Sequence, residues 1–315
     1  MHIWEGQGNR KMITTLGHIE SNIPTFWEKF RAYLEVTKPG ISLMVFVSVI
    51  MGFLLGSFST NQPVNILLLL HLLIGSTFAA AGVGALNEFV EHEVDAKMKR
   101  TKARPIPSGK LTPVSVLYLG LTVSIFGILY QAFMVEIGVS LLTLLTITSY
   151  ILIYTPLKKR TEWNTMIGAV PGALPPLGGW LAATGHLDWG AWIVAGILYL
   201  WQLPHFLAIA WIYRNDYQRG GFRMLPVVDP TGKRSARHLM VSSMALLLLS
   251  LVPVFISITG EIYLFGMVTM GTTLIWFSVM AAWEKTNLQA RKLLLVSIVY
   301  LPAMLGLVLL DNILY

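Results

Sequence analysis

Residues 87–109 read NEFVEHEVDAKMKRTKARPIPSG and concentrate charge at one point of a chain that carries little charge elsewhere. The stretch follows an apolar run of about twenty residues, the length that spans a bilayer as a helix. Its first nine residues hold four carboxylates, those of Glu88, Glu91, Glu93 and Asp95, whereas residues 97–110 hold six cations and no acid. Charges at the end of a membrane segment indicate either a functional site or a topological signal.

The composition indicates an integral membrane protein. Of the 315 residues 55% are hydrophobic and only 12% are charged, with a mean hydropathy of +0.64. A soluble domain of this size carries about 25% charged residues, roughly twice the fraction found here. The chain has no cysteine, which excludes disulfides, thiolate metal sites and thiol catalysis.

Nine apolar segments are long enough to cross about 30 Å of hydrocarbon as helices. They lie near residues 40–58, 65–90, 113–131, 137–155, 164–184, 189–212, 238–257, 263–283 and 292–310. The sequence therefore predicts an all-α, multi-pass membrane fold. We expect a polar arm over residues 1–38 and a nine-helix transmembrane domain over residues 39–315.

The positions of the basic residues agree with nine spans. All 23 lysines and arginines fall in the arm and in the connections after the second, fourth, sixth and eighth segments. The remaining connections and the C-terminal tail have none, and by the positive-inside rule the basic side is cytoplasmic. We therefore expect a cytoplasmic N-terminus and an external C-terminus in the cell membrane. Topology accounts for most of the net charge of +7, so the charge does not require a nucleic-acid partner.

Asn87, Glu91 and Asp95 are spaced four residues apart, which places them on one face of a helix. An amide oxygen and two carboxylates suit Mg²⁺, which is commonly shared between protein carboxylates and a substrate phosphate. The loop that follows offers cations for that phosphate. They are Lys97, Lys99, Arg100, Lys102, Arg104 and Lys110.

This pattern predicts a ligand with a diphosphate head at the membrane surface and an apolar tail among the helices. An isoprenyl diphosphate fits that description. Two other readings remain open from the residues alone. The basic loop is also what topology and lipid contacts would produce, and the acids could form the cation site of a cation-coupled transporter.

The stretch 87–109 resembles the first motif of the UbiA-type intramembrane prenyltransferase superfamily, Asn-x-x-x-Asp-x-x-x-Asp, with Glu91 in place of the middle aspartate. Two further stretches resemble the branch of that superfamily that farnesylates haem. They read YTPLKKRTEWNTMIGAVPGALPPLGGW (154–180) and WQLPHFLAIAWIYRNDYQRGGFRMLPVV (201–228). The resemblance covers nearly the whole chain beyond the arm.

The resemblance implies that haem B, farnesyl diphosphate and water react to give haem O and diphosphate, with Mg²⁺ as cofactor. It also implies nine helices around a lipid-open cavity capped by two long cytoplasmic loops. Whether a downstream haem-modifying enzyme or an oxidase assembly factor docks on the protein is left open. The nearest alternative is a UbiA-type enzyme with an aromatic, quinone-precursor acceptor, and the two long stretches argue against it.

The resemblance also implies roles for individual residues. Asn87, Glu91 and Asp95 match the metal–diphosphate motif, and Tyr154 and Lys158 match a pair near the diphosphate. From the chemistry of the leaving group, the anion partners are expected to be Arg100, Arg104 and Lys158, with Lys97 beside them.

The resemblance further implies that a second acidic motif begins at Asp216. Many members of the superfamily have another aspartate four residues further on, where this chain has Gly220. We therefore expect a second metal site either to rest on Asp216 with water or to be absent.

Two features inside the apolar segments point to a cavity. The fifth segment contains Pro171, Pro175 and Pro176, which predicts a helix break that lines the cavity, since an internal proline costs about 3 kcal/mol. The sixth contains His205 at membrane depth. This histidine is either a ligand for haem, through its iron or a propionate, or a polar packing contact.

Overall fold

The computed structural model describes residues 25–314, apart from the side chain of Ile41, and over these residues the chain is helical without a β-strand. Residues 1–24, most of the predicted arm, lie outside the described residues. The helices are α1 (Phe26–Val36), α2 (Pro39–Ser59), α3 (Ile66–Asp95), α4 (Pro113–Met134), α5 (Ile137–Thr148), α6 (Asn164–Thr184), α7 (Trp189–Ile212), α8 (Arg214–Arg219), α9 (Leu225–Val228), α10 (Lys233–Phe255), α11 (Glu261–Glu284) and α12 (Asn287–Leu314).

Nine helices among residues 25–314 are long and apolar enough to cross a membrane, which confirms the predicted fold class. They are α2–α7, with α5 extended to Leu157, and α10–α12. Large apolar side chains cover their outer faces; Phe133 is 84% exposed and Trp283 is 83% exposed. Such faces are stable against lipid rather than water.

The helical distortion lies in the fourth segment and not in the fifth. A π-helical turn, Ser149–Tyr154, continues α5 and leads into a last turn at Thr155–Leu157. The Thr155 N–H bonds to the Tyr150 carbonyl, five residues back, and Pro156 has no N–H with which to restore the α-helical pattern. The widened turn brings residues of this segment to the edge of the cavity described below.

The predicted break in the fifth segment is wrong, because α6 is continuous over 21 residues and contains all three prolines. The predicted cavity lining is confirmed, since Pro171 and Pro175 face the cavity. The helix is largely buried against α2, α5 and α7. Neighbouring helices stabilise proline inside a membrane helix when they surround it in this way.

The helices form a closed bundle in which α3 packs on α4, α2 on α6, and α7 on α6, α10 and α12. The largest buried cluster joins α2 and α6 to α7, α10, α11 and α12 and includes Trp180, Tyr263 and Tyr300. At one end of this cluster the buried Asp311 carboxylate of α12 accepts hydrogen bonds from the backbone N–H groups of Gly260, Ile262 and Tyr263. It therefore caps the N-terminus of α11 from another helix.

Candidate active site

The polar face at the end of α3 meets cations from other parts of the chain. The Lys38 Nζ donates a hydrogen bond of 2.6 Å to Asn87 Oδ1. Lys158 Nζ lies 2.8 Å from Glu91 Oε1, and both side chains are largely buried. Each pair joins residues that are far apart in sequence, so the packing of α2 and of the end of the fourth segment against α3 creates this part of the site.

The third member of the motif, Asp95, is 1% exposed and pairs with Arg104 of the following loop at 2.6 Å through Oδ2. The Thr101 hydroxyl donates to the Asp95 carbonyl, 2.9 Å away. The loop is also held by Glu88, whose buried carboxylate accepts a bond of 3.1 Å from the Ile106 N–H. The acidic and basic halves of the stretch 87–109 thus fold onto each other.

These oxygen atoms suit a hard cation. Asp95 Oδ1 is buried and has no hydrogen-bond partner, an arrangement that is costly unless another group binds there. Glu91 and Asp95 each use only one oxygen in an ion pair, so each retains an acceptor. Mg²⁺ prefers such oxygen ligands and usually keeps several waters. No cluster of three or more His, Asp or Glu side chains that could enclose a metal occurs between residues 25 and 314, so a metal here would share its coordination with water and substrate.

Lys158 is also held by aromatic rings from the distorted turn. Its Nζ lies 4.6 Å from the ring centroid of Tyr154 and 5.9 Å from that of Tyr150. A Cβ on Gly168 of α6 would collide with the Tyr154 ring, so glycine at this position allows the ring to pack there. The π-helical turn and the residues that follow it, up to Lys158, therefore present two phenol rings and one ammonium group to the end of α3.

The charged residues around the end of α3, namely Lys38, Glu91, Asp95, Arg104 and Lys158, are called the rim below. Its two lysines have opposite pKa shifts. Burial, followed by the positive charge of Arg104, lowers the pKa of Lys38 to about 7. Burial acts in the same direction on Lys158, but the Glu91 carboxylate outweighs it and holds the pKa of Lys158 well above its usual value. The raised pKa keeps Lys158 protonated near neutral pH, and an anionic ligand beside Lys38 would favour the charged form of Lys38.

A cavity of about 490 Å³ begins at Lys38 and Asn87 and extends between α2, α3, α5, α6 and α7. Its size falls within the range of roughly 300–1,000 Å³ found for small-molecule sites. Most of the lining is apolar, and a few polar side chains interrupt it. These are Ser48, Ser76, Gln131, Thr143, Thr146, Tyr150, Tyr154, Gln202 and His205. An ionic rim above an apolar cavity can hold an amphiphile whose head is anionic.

His205 lines this cavity from α7, within the predicted sixth segment. Its Nδ1 lies 2.9 Å from Ser297 Oγ of α12, and its ring stacks on that of Trp201 with centroids 5.0 Å apart. The histidine is thus separate from the rim cluster and belongs to the apolar part of the site.

Asp216 lies in a second polar cluster that joins the two long loops. Its carboxylate accepts hydrogen bonds of 3.3 Å from the backbone N–H groups of Lys99 and Arg100 and pairs with Arg219 at 2.7 Å. The Arg100 guanidinium lies over the Tyr213 ring, 4.7 Å from its centroid. The structure therefore places Asp216 and Arg100 together, in contacts different from those of Glu91 and Asp95.

Gly220, where the superfamily pattern has a further aspartate, has no room for a side chain. A Cβ there would lie 2.9 Å from a methyl group of Val94 and 3.2 Å from Met98 Sδ. Lys97 is exposed at the end of α3, and no carboxylate among the described residues pairs with it. Of these two positions, only the one at residue 216 therefore carries a carboxylate.

Sequence reasoning missed several residues at the site. The sequence places Lys38 in the arm, whereas in the structure Lys38 has a left-handed backbone (φ 52°) and its side chain donates a hydrogen bond to Asn87. Non-glycine residues in this conformation are uncommon and often functional. Tyr150 could have been found from its spacing of four residues before Tyr154. No sequence signal identifies Ser297, because it is one small polar residue in a long apolar segment.

Comparison with known proteins agrees with this architecture. Residues 45–301 match the UbiA prenyltransferase family. A protoheme IX farnesyltransferase of Solibacter usitatus is 41% identical over 292 residues, which cover 90% of this chain and 99% of that protein. A protein of the same name from Salinibacter ruber is 41% identical over 279 residues, 89% of this chain and 98% of its own length.

Solved structures share the fold. A digeranylgeranylglyceryl phosphate synthase superposes with a TM-score of 0.74 at 19% identity and covers 91% of this chain and 100% of its own. A UbiA homolog from Archaeoglobus fulgidus bound to GPP and Mg²⁺ superposes with a TM-score of 0.58 at 12% identity, covering 88% and 99%. The family match, the relatives of nearly equal length and the nine-helix bundle together show that the chain belongs to the UbiA prenyltransferase family.

Proposed function

We propose that this protein transfers the farnesyl group of farnesyl diphosphate to a vinyl group of protohaem IX (haem B), with addition of water, to give haem O and diphosphate. The observation that supports this proposal most directly is the set of ion pairs and hydrogen bonds at the end of α3, next to an apolar cavity. The relatives named protoheme IX farnesyltransferase, which align over nine-tenths of the chain, support haem as the acceptor.

The rim residues would bind and activate the diphosphate. Breaking the allylic C–O bond leaves its electron pair on the diphosphate, so the site must stabilise negative charge on the leaving group. Asn87, Glu91 and Asp95 would hold Mg²⁺, which when bound supplies charge neutralisation at the leaving oxygens. Arg104 and Lys158 would bind phosphate oxygens directly. Each lies beside a carboxylate that would hold the metal ion, and therefore close to the phosphate that would share this ion.

The apolar cavity would hold the farnesyl chain and exclude water until the carbon–carbon bond forms. The terminal carbon of the haem vinyl group then bonds to C1 of the farnesyl group. Water adds to the other vinyl carbon and loses a proton, which leaves a hydroxyl group. These steps require no strong base. The Tyr150 and Tyr154 rings line the cavity and would face the developing allylic cation.

Two further residues complete the proposal. His205 would contact the haem from α7, since it is the histidine that lines the described cavity. Asp216 would hold the two loops together over the rim, so that Arg100 stays beside the diphosphate head. A role of Asp216 in binding a second metal ion stays a prediction.

The positive-inside rule orients the molecule. We place the basic end of the bundle, with both long loops, on the cytoplasmic side of the cell membrane, and the C-terminus outside. Farnesyl diphosphate would then enter from the cytoplasm, whereas haem B would enter laterally from the lipid.

The proposal is tested by incubating membranes that contain the protein with haem B, farnesyl diphosphate and Mg²⁺. We expect release of diphosphate together with a haem product whose mass has increased by one farnesyl group and one hydroxyl group. Membranes with an Asp95→Asn variant serve as the matched control. Prenylation of an added aromatic quinone precursor instead of haem would favour the alternative acceptor, and no product with either acceptor would reject both.

A further inference from the structure

Ser297 on α12 contacts His205 on α7 across a boundary between two membrane helices. The Ser297 side chain is 0% exposed, and its Oγ lies 2.9 Å from His205 Nδ1 and 2.7 Å from the Leu294 carbonyl oxygen. A serine hydroxyl has a single hydrogen to donate, and a carbonyl can only accept. The geometry therefore directs that hydrogen to Leu294, so that Ser297 Oγ accepts a hydrogen bond from the His205 Nδ1–H.

Two contacts from Trp201 restrict the imidazole further. The Trp201 ring stacks on the His205 ring at an interplanar angle of 26°, and its Nε1–H donates a 2.7 Å hydrogen bond to the Ser297 carbonyl. The indole therefore ties α7 to the same residue of α12 that accepts the Nδ1–H. With the ring stacked on one face and bonded at one nitrogen, its rotation and its tautomer are both defined.

We propose that Ser297 is a positioning residue, which fixes His205 as the Nδ1-protonated tautomer and so directs the lone pair of Nε2 to the iron of the haem substrate. This inference rests on the proposed function. A neutral imidazole binds iron through the nitrogen that carries no proton, and the bond made by the other nitrogen decides which one that is. Loss of such an outer hydrogen bond commonly weakens metal binding by about 10- to 100-fold.

The chain offers a matched control for the loss of a buried serine hydroxyl. Ser243 on α10 is also 0% exposed, and its Oγ makes an interhelical hydrogen bond of 2.8 Å to Ser278 on α11. Neither of these serines lines the cavity. Ser243→Ala therefore removes the same chemical group from a similar environment without touching His205.

The experiment titrates the purified full chain with ferric haem B, without farnesyl diphosphate, and follows the absorption and electron paramagnetic resonance spectra. Wild type should show a histidine-ligated haem. His205→Ala should lose that signature and regain it with added imidazole. Ser297→Ala should weaken haem binding by about 10- to 100-fold while the KM for farnesyl diphosphate stays unchanged, and Ser243→Ala should resemble wild type.

A second measurement does not depend on the folding of Ser297→Ala. Nitrogen-15 spectra of histidine-labelled, haem-free wild type, with His205→Gln for assignment, should show a protonated Nδ1 and an unprotonated Nε2 at His205. A proton on Nε2, a wild-type haem spectrum without imidazole ligation, or equal haem affinities of Ser297→Ala and Ser243→Ala would overturn the inference. Absence of haem O from wild-type assays would instead reject the proposed function, because the haem titration needs no turnover.

Discussion

Asp95→Asn is the sharpest test of the rim. The substitution keeps the shape of the side chain and an oxygen that can accept from Arg104, but it removes the negative charge from a side chain that is 1% exposed. The Arg104 guanidinium keeps its charge, so the remaining hydrogen bond is still charge-assisted and only the attraction between opposite charges is lost. Because the Arg104 side chain is 24% exposed, solvent screens this attraction, and it contributes roughly up to 1 kcal/mol. The loss in folding stability should therefore be at most about 1 kcal/mol.

The expected loss of activity is much larger. If Asp95 holds the cation that neutralises the leaving diphosphate, its removal should lower the turnover rate by about 10²–10³-fold, the range seen when one preorganised electrostatic group is deleted. That corresponds to about 3–4 kcal/mol, well above the stability effect. The two effects are therefore separable in one set of measurements.

The assay combines diphosphate release at several Mg²⁺ concentrations with thermal unfolding of the detergent-solubilised protein. Asp311→Asn is the matched control, because Asp311 is also a buried carboxylate, 3% exposed, but it caps α11 away from the cavity lining. We expect the control to lose stability and to retain its turnover per folded molecule. If Asp95→Asn turns over within about threefold of wild type, Asp95 has no part in activating the diphosphate.

Three further outcomes follow from the site and its surroundings. Lys158→Met should raise the KM for farnesyl diphosphate at least about tenfold, because a lost charge-assisted contact costs about 1.5–3 kcal/mol; an unchanged KM in steady-state kinetics would contradict a phosphate contact. Asp216→Asn should slow turnover but leave the Mg²⁺ concentration at half-maximal rate unchanged, whereas a shift like that of Asp95→Asn would place Asp216 on the metal. Burial opposes ionisation of Asp229, but hydrogen bonds from Ser235 and neighbouring residues outweigh it and lower the pKa of Asp229. Its stabilisation should therefore be complete above the unfolded pKa of about 3.9 and disappear as the pH falls through the lower folded value. The difference in unfolding temperature between wild type and Asp229→Ala should shrink over that acid range, and a difference independent of pH would show that its charge contributes nothing.

The sequence predicted those features that depend on local patterns. The lengths of the apolar segments and the positions of the lysines and arginines give the number of spans, because each helix must by itself be long enough to cross the hydrocarbon core. The spacing of Asn87, Glu91 and Asp95 gives one helical face for the same local reason. The three prolines of the fifth segment did not mark the helical distortion, because neighbouring helices surround α6 and stabilise it as a continuous helix. The distortion lies instead in the turn before Pro156, at the edge of the cavity.

The tertiary structure decided which partners meet. Lys38 and Asn87 are 49 residues apart, Lys158 and Glu91 are 67 apart, and His205 and Ser297 are 92 apart. No local pattern specifies such pairs, since each depends on how two helices are placed and rotated against each other. The sequence by itself determined a nine-span membrane protein with an acidic helix end and a basic loop. Only the packing of the helices determined which cation neutralises which acid and which hydroxyl orients the histidine, because these contacts exist only when separate spans come together.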